Sequence, residues 1–154
     1  MNHIDYFKLQ AKNLFRDYKT QTSYIDERSG NSRYNYAPKF FDIGSIFFDL
    51  EWEDEENLSL MKIQHIFAKL LGFEKWADLR NASEPELELA RLRFENQHKI
   101  SAEDWEMYMA GVERDHKTTY DTEGRLEIFK LVFANAEHPH SYAYDYRLNR
   151  RHQH

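Results

Sequence analysis

Residues 59–79, SLMKIQHIFAKLLGFEKWADL, decide the fold class. Leu60, Ile63, Phe67 and Leu70 recur at three- and four-residue spacing, with Ile66 and Leu71 beside them. That is one face of a helix starting at Asn57 or Ser59 and running to Leu71. Gly72 then supplies the left-handed residue just past the helix end, and Phe73 the apolar residue that commonly follows it. A helical turn over Glu74–Arg80 carries Trp76 and Leu79.

Working toward the N-terminus, residues 49–56, DLEWEDEE, hold six acids in eight positions. Part of that charge has a local use, because Glu55 and Glu56 meet the positive end of the following helix dipole. Before them, PKFFDIGSIFFDLEW packs Phe40, Phe41, Ile43, Ile46, Phe47, Phe48, Leu50 and Trp52 closely, which predicts a short and mostly buried helix after Asp42, with a strand as the alternative because Gly44 disfavours a helix. Residues 20–38 contain the turn formers Ser29, Gly30, Asn31 and Ser32 and end at Pro38, so their composition predicts a loop. Tyr24, Tyr34 and Tyr36 make it an aromatic one. From His3 to Lys19, Phe7, Ala11, Leu14 and Tyr18 mark the buried face of a first helix, and Lys8, Lys12 and Arg16 its opposite, basic face.

Toward the C-terminus, Ser83 and Glu86 form a capping box with Pro85 in the first turn, predicting a helix to about Gln97 with Leu87, Ala90 and Phe94 inside. Ser101 caps another, where Ile100 packs on Trp105 and the face continues through Met109 and Val112. Residues 122–134 fit a helix capped near Asp121 better than a strand, since Leu126, Phe129, Val132 and Phe133 share a face. After Ala136 apolar periodicity ends, and the remaining residues read as a tail. The predicted fold is mainly α: a single compact multi-helix domain over residues 1–137, with a long aromatic loop and a flexible C-terminal tail over 138–154.

The residues Phe7, Gln10, Ala11, Lys12 and Leu14, followed by Gln64, Ala68, Gly72, Phe73, Trp76 and Leu79, resemble a small helical module of uncharacterised bacterial proteins. The same module is appended to some glyoxalase-like proteins. The resemblance spans roughly half of the chain with its intervening loop, implies a helical fold and a bacterial or mobile-element origin, and brings no catalytic residue with it. Residues 20–56 depart from the compact form of the module, and residues 83–154 have no counterpart in it.

Composition bounds the chemistry. The chain has 154 residues, no cysteine, 41% hydrophobic and 16% aromatic residues, and a formal charge of −6. Lack of cysteine removes disulfides, thiolate zinc sites, cysteine nucleophiles and iron–sulfur clusters. The charge is polarised: +3 before residue 42, −11 over residues 42–137 and +2 after them. Generic nucleic-acid binding is disfavoured by that balance, because phosphate contacts supply most of such affinity. The N-terminal segment has neither the basic start nor the apolar run of a signal peptide, and no stretch reaches the roughly 18 apolar residues of a membrane span, so a cytoplasmic, non-membrane protein is expected.

Searching for chemistry, we find no G-x-S-x-G elbow, glycine-rich phosphate loop or H-E-x-x-H pair. Neighbouring acids such as Glu103 and Asp104 are numerous, but spacing alone builds no acid–base pair. His138, His140, His152 and His154 belong to the tail and offer adventitious metal binding. No catalytic residue, metal ligand or cofactor is assigned. His65, on the side of its helix shared with Lys62 and Lys69, reads as a partly exposed structural histidine.

Surface recognition is the remaining reading. The expectation is a non-catalytic adaptor or antagonist of antitoxin, immunity or phage-inhibitor type, binding a protein partner with a basic surface. Its contact residues would be Trp52, Glu53, Asp54, Glu55 and Glu56 of the acidic run and Tyr142, Tyr144, Tyr146, Arg147, Arg150 and Arg151 of the tail. Two alternatives stand beside it. One is a small enzyme using scattered carboxylates and His65; the other is a nucleic-acid-binding module using Lys8, Lys12 and Arg16.

Overall fold

The first helix, α1 (His3–Tyr18), begins where Asn2 Oδ1 accepts from Asp5 N at 2.8 Å, satisfying one of the amides a helix start leaves without a partner. Its buried stripe is Phe7, Ala11, Leu14 and Tyr18, as the spacing predicts. Asp17 is buried on the same face. The computed structural model describes residues 1–135 and 144–148, and the statements below concern those residues.

Residues 20–38, read from composition as a loop, contain an antiparallel hairpin instead. Strands β1 (Thr22–Ile25) and β2 (Ser32–Asn35) pair with Thr22 opposite Asn35 and Ile25 opposite Ser32. Composition misled because the strands are nearly all solvent-exposed and carry no buried face, so the apolar alternation that usually announces a strand is missing. The turn formers that suggested a loop close the hairpin: Gly30 adopts φ +72° and its N–H bonds Asp26 O at 2.7 Å.

Helix α2 (Ile43–Asp49) is capped by Asp42, whose Oδ1 accepts from Ser45 N at 3.3 Å. It buries Ile43, Ile46 and Phe47, with Phe41 just ahead. Phe48, expected inside, is 83% exposed. Helix α3 (Leu60–Leu70) starts from Ser59 and buries Ile63, Ile66, Phe67 and Ala68. Leu60 and Leu70 are only half-buried, because the packed stripe is centred between them at Ile66 and Phe67. Gly72 at φ +92° ends the helix; Phe73 N reaches Ala68 O at 2.9 Å and Gly72 N reaches Lys69 O at 3.0 Å, the paired bonds of a Schellman cap.

Helices α4 (Trp76–Arg80), α5 (Glu84–Glu95), α6 (Ala102–His116) and α7 (Thr122–Phe129) follow. The capping box of α5 forms in both directions between Ser83 and Glu86. Ser101 caps α6 through Asp104 N at 3.0 Å, and Asp121 caps α7 through Gly124 N at 2.9 Å. Residues 122–134 are therefore helical, and the last five, Lys130–Ala134, widen into a π turn. Lys99 Nζ caps its carbonyls, donating to Ala134 O at 3.0 Å. No helix among the described residues is long and apolar enough to cross a membrane.

The fold is mainly α, as the sequence predicts, and its packing forms two compact units, Met1–Trp76 with Tyr146–His154, and Ala77–Asp145. In the first unit α1 packs on α3, and the rings of Phe7 and Phe41 flank Phe67 at 6.1 and 6.4 Å. In the second, α5 packs on α7 around Leu89, Ile100, Trp105, Met109, Leu126, Phe129 and Phe133. Trp105 presents its face or edge to Phe129 at 5.1 Å and to Phe133 at 5.7 Å, near-perpendicular geometries that suit the ring quadrupoles.

Candidate docking surface

The acidic run is held by groups brought to it from α1 and the hairpin. Leu50, at the C-terminal end of α2, is followed by Glu51 at φ +55°, and Trp52 N then bonds Phe47 O at 2.8 Å, so the chain folds back over the helix end. Asn57 takes φ +52° and releases the chain into α3. Between these two left-handed residues, Glu55 is the fixed point. Its carbonyl accepts from Tyr18 Oη at 2.7 Å and from Gln21 Nε2 at 2.8 Å, while its carboxylate accepts from Tyr36 Oη at 2.7 Å. Gln21 Nε2 also donates to Tyr36 Oη at 2.9 Å, and Leu58 N donates to Tyr18 Oη at 2.8 Å. Every hydroxyl in this network both donates and accepts.

Electrostatics follow from that closure. Partial burial and the hydrogen bond to the Glu55 carboxylate push the Tyr36 phenol far above its ordinary value. Tyr34 is also raised, by desolvation first and then by the negative field of Glu56, Glu55 and Asp54. The hairpin thus brings two tyrosines to the acidic run.

Of the residues predicted to bind a partner, Glu53, Asp54 and Glu56 are exposed, with Asp54 Oδ1 accepting from Glu56 N at 3.3 Å to shape the loop. Glu55 is instead a structural ligand of Tyr36. Trp52 is half-buried rather than an outward anchor: its Nε1 donates to Asp54 O at 2.7 Å and its ring lies edge-on to His65 at 6.4 Å. His65 has its pKa pushed down by desolvation and by Lys69 and Lys62, which favours the neutral ring.

The tail prediction divides. Tyr142, Arg150 and Arg151, with His138, His140, His152 and His154, lie outside the described residues. Tyr144 is exposed. Tyr146 and Arg147 are taken up internally: Arg147 pairs antiparallel with Phe41, Asp42 N bonds Tyr146 O at 2.8 Å, Leu148 N bonds Phe40 O at 2.9 Å, and Tyr146 Oη donates to Asp49. Residues 146–148 are therefore docked on residues 40–42 through a single antiparallel bridge and the main-chain bonds on either side of it. The basic face of α1 remains in solvent at Lys8, Lys12 and Arg16.

Two consequential residues escaped the sequence reading. Asp17 is 2% exposed and its carboxylate accepts from Lys39 N at 2.8 Å, Phe40 N at 2.9 Å and Phe41 N at 2.7 Å. The available signal was its place on the stripe Ala11–Leu14–Tyr18, where an acid demands donors. Phe48 is the other. The spacing of Ile43, Ile46 and Phe47 already leaves position 48 on the outer face of α2, directly before Asp49 and Glu51. No three His, Asp or Glu side chains among the described residues converge to hold a metal ion. Compared with protein-family models, with curated proteins and with solved structures, the chain matches none of them.

Proposed function

We propose that the protein is a non-catalytic adaptor or antagonist, of the antitoxin, immunity or phage-inhibitor kind, acting in a bacterial cytoplasm on a protein partner with a basic surface. The observation that carries this reading is the anchoring of Glu55 by Tyr18, Gln21 and Tyr36, which leaves Glu53, Asp54 and Glu56 exposed on a loop of fixed shape. Fixing a charged loop before binding lowers the ordering cost of association, and complementary charge speeds encounter. Phe48 supports the same reading by adding an exposed aromatic ring at the start of the run, the side-chain type from which interface anchors are drawn.

The test keeps Glu55 intact, because changing it would disturb the network rather than the surface. Replacing Glu53, Asp54 and Glu56 together by Ser weakens a stoichiometric complex with the native partner by at least about tenfold, measured by co-purification and titration calorimetry. Unchanged affinity in that triple variant overturns the reading.

A further inference from the structure

The main-chain hydrogen bonds of the hairpin identify which groups face outward. Asp26 N bonds Asn31 O at 2.9 Å, which makes that pair a hydrogen-bonded one. Bonded and non-bonded pairs alternate along an antiparallel ladder, so Tyr24·Arg33 and Thr22·Asn35 are bonded, and Ile25·Ser32 and Ser23·Tyr34 are not. The N–H and C=O groups of Ser23 and Ile25 consequently point along the outer edge of β1, and those of Ser32 and Tyr34 along the outer edge of β2. Among the described residues the sheet has two strands, and no main-chain bond from another segment reaches either outer edge.

The two edges differ in what guards them. All four residues of β1 are exposed, Ile25 by 69% and Tyr24 by 48%, and none carries a charge. Residues 20–25, TQTSYI, combine β-branched and aromatic side chains with no charge, proline or glycine, the composition with which strands recruit one another. Natural edges are ordinarily blunted by a charge, a proline or a bulge, and β1, paired in unbroken register, has none of them. Strand β2 has a cation at its centre, Arg33, which faces Asp26 at 3.7 Å.

We propose that β1 pairs with β1 of a second copy of this chain, antiparallel about a twofold axis, joining two hairpins into one four-stranded sheet. Twofold pairing uses the same patch on both copies, so the outward groups must match themselves. Those of Ser23 and Ile25 do. With Ser23 opposite Ile25 of the second copy, each such pair exchanges two N–H···O bonds, and Tyr24 meets its own counterpart at the axis. A cross-strand aromatic pair is favourable, and Asp26 then lies opposite Thr22 rather than another acid. The same operation on β2 would set Arg33 against Arg33, like charges directly opposite, so the symmetry selects β1. A two-stranded ribbon is marginal by itself, and the added strands complete the sheet. This contact rests on the hairpin alone and is independent of the acidic run.

Sedimentation velocity on the full chain tests it. We expect the mean mass to rise from one chain toward two between about 10 μM and 1 mM, the range of a small contact. Ser23→Pro removes an outward N–H that the hairpin does not use and should lower the affinity at least about tenfold, whereas Ser32→Pro on the opposite edge keeps it. Two cysteine variants of this otherwise cysteine-free chain read the register. Only position 24 faces its own copy, in a non-bonded pair whose closeness suits a disulfide, so Tyr24→Cys should form the oxidised dimer at least about tenfold faster than Ile25→Cys. Hydrogen exchange on the unmodified chain needs no substitution: the Ser23 and Ile25 amides slow as concentration rises, and those of Ser32 and Tyr34 do not. Four results would each overturn the β1 pairing: a single-chain mass up to about 1 mM, a dimer indifferent to Ser23→Pro, equal cross-linking of the two cysteine variants, or exchange that slows at Ser32 and Tyr34 instead.

Discussion

The two units of the chain are held together in different ways. In Ala77–Asp145 the helices start at local caps, Ser83, Ser101 and Asp121, each bonding an amide three residues on, and the core is aromatic and aliphatic around Trp105. In Met1–Trp76 the apolar core is supplemented by polar side chains reaching distant partners: Asp17 to the main chain of residues 39–41, Tyr18 and Gln21 to the carbonyl of Glu55, and Tyr36 to the carboxylate of the same glutamate. Both units start helices at local caps, since Asn2, Asp42 and Ser59 do in the first what Ser83, Ser101 and Asp121 do in the second. The first adds a cluster of long-range polar bonds around Asp17 and Glu55. The polar closure is also what shapes the exposed acidic loop, so in this unit fold and candidate function share residues.

That contrast can be broken from either side. Trp105→Ala has the largest expected effect, about 3–5 kcal/mol in urea unfolding, because it empties the aromatic centre of the second unit. A loss below about 1 kcal/mol would mean that this core tolerates a cavity and is not what holds the unit. Asp17→Asn comes next, at about 2–3 kcal/mol, since an amide offers one acceptor oxygen where the carboxylate serves three buried or half-buried N–H groups. Its signature is regional, with hydrogen exchange rising at residues 39–41.

Tyr36→Phe should cost about 1–2 kcal/mol by removing the donor to Glu55. It also has a pH signature. The folded phenol is raised above its unfolded value, so the unfolded chain loses this proton first, and the stability contributed by the neutral group is full below about pH 10 and declines as pH rises beyond it. The wild-type stability curve should therefore fall more steeply above that pH than the curve of Tyr36→Phe. Parallel curves would show that Tyr36 is not coupled to Glu55 in solution. The smallest expected effect on stability is that of Phe48→Ser, within about 0.5 kcal/mol, because the ring is already in solvent. Partner affinity should nevertheless fall in that variant, and unchanged affinity would remove Phe48 from the docking surface.

Legibility of the sequence follows the range of the interaction. Ser83 with Glu86, Ser101 ahead of Trp105, and Gly72 with Phe73 state their structure within a few residues, since caps and helix faces are local chemistry repeated at a known period. The hairpin escaped because exposed strands impose no alternation. Phe48 escaped because a dense run of apolar residues hides which one faces out. In the candidate surface the acids were legible as charge, but the distinction between Glu55, which is structural, and Glu53, Asp54 and Glu56, which are exposed, was not. The same holds for Tyr146 and Arg147, whose residue types suggest a partner contact while their main chain is spent on residues 40–42.

By itself, then, the sequence determined the helices, their starts and stops, the absence of thiol chemistry and the place of the negative charge. Each of these depends on neighbours within one or two turns or on composition alone. Only the tertiary structure decided which carboxylates are spent inside the protein. Asp17 and Glu55 find their donors more than 15 residues away, and nothing in local spacing distinguishes an acid that will meet three amides or a tyrosine from one that will meet water.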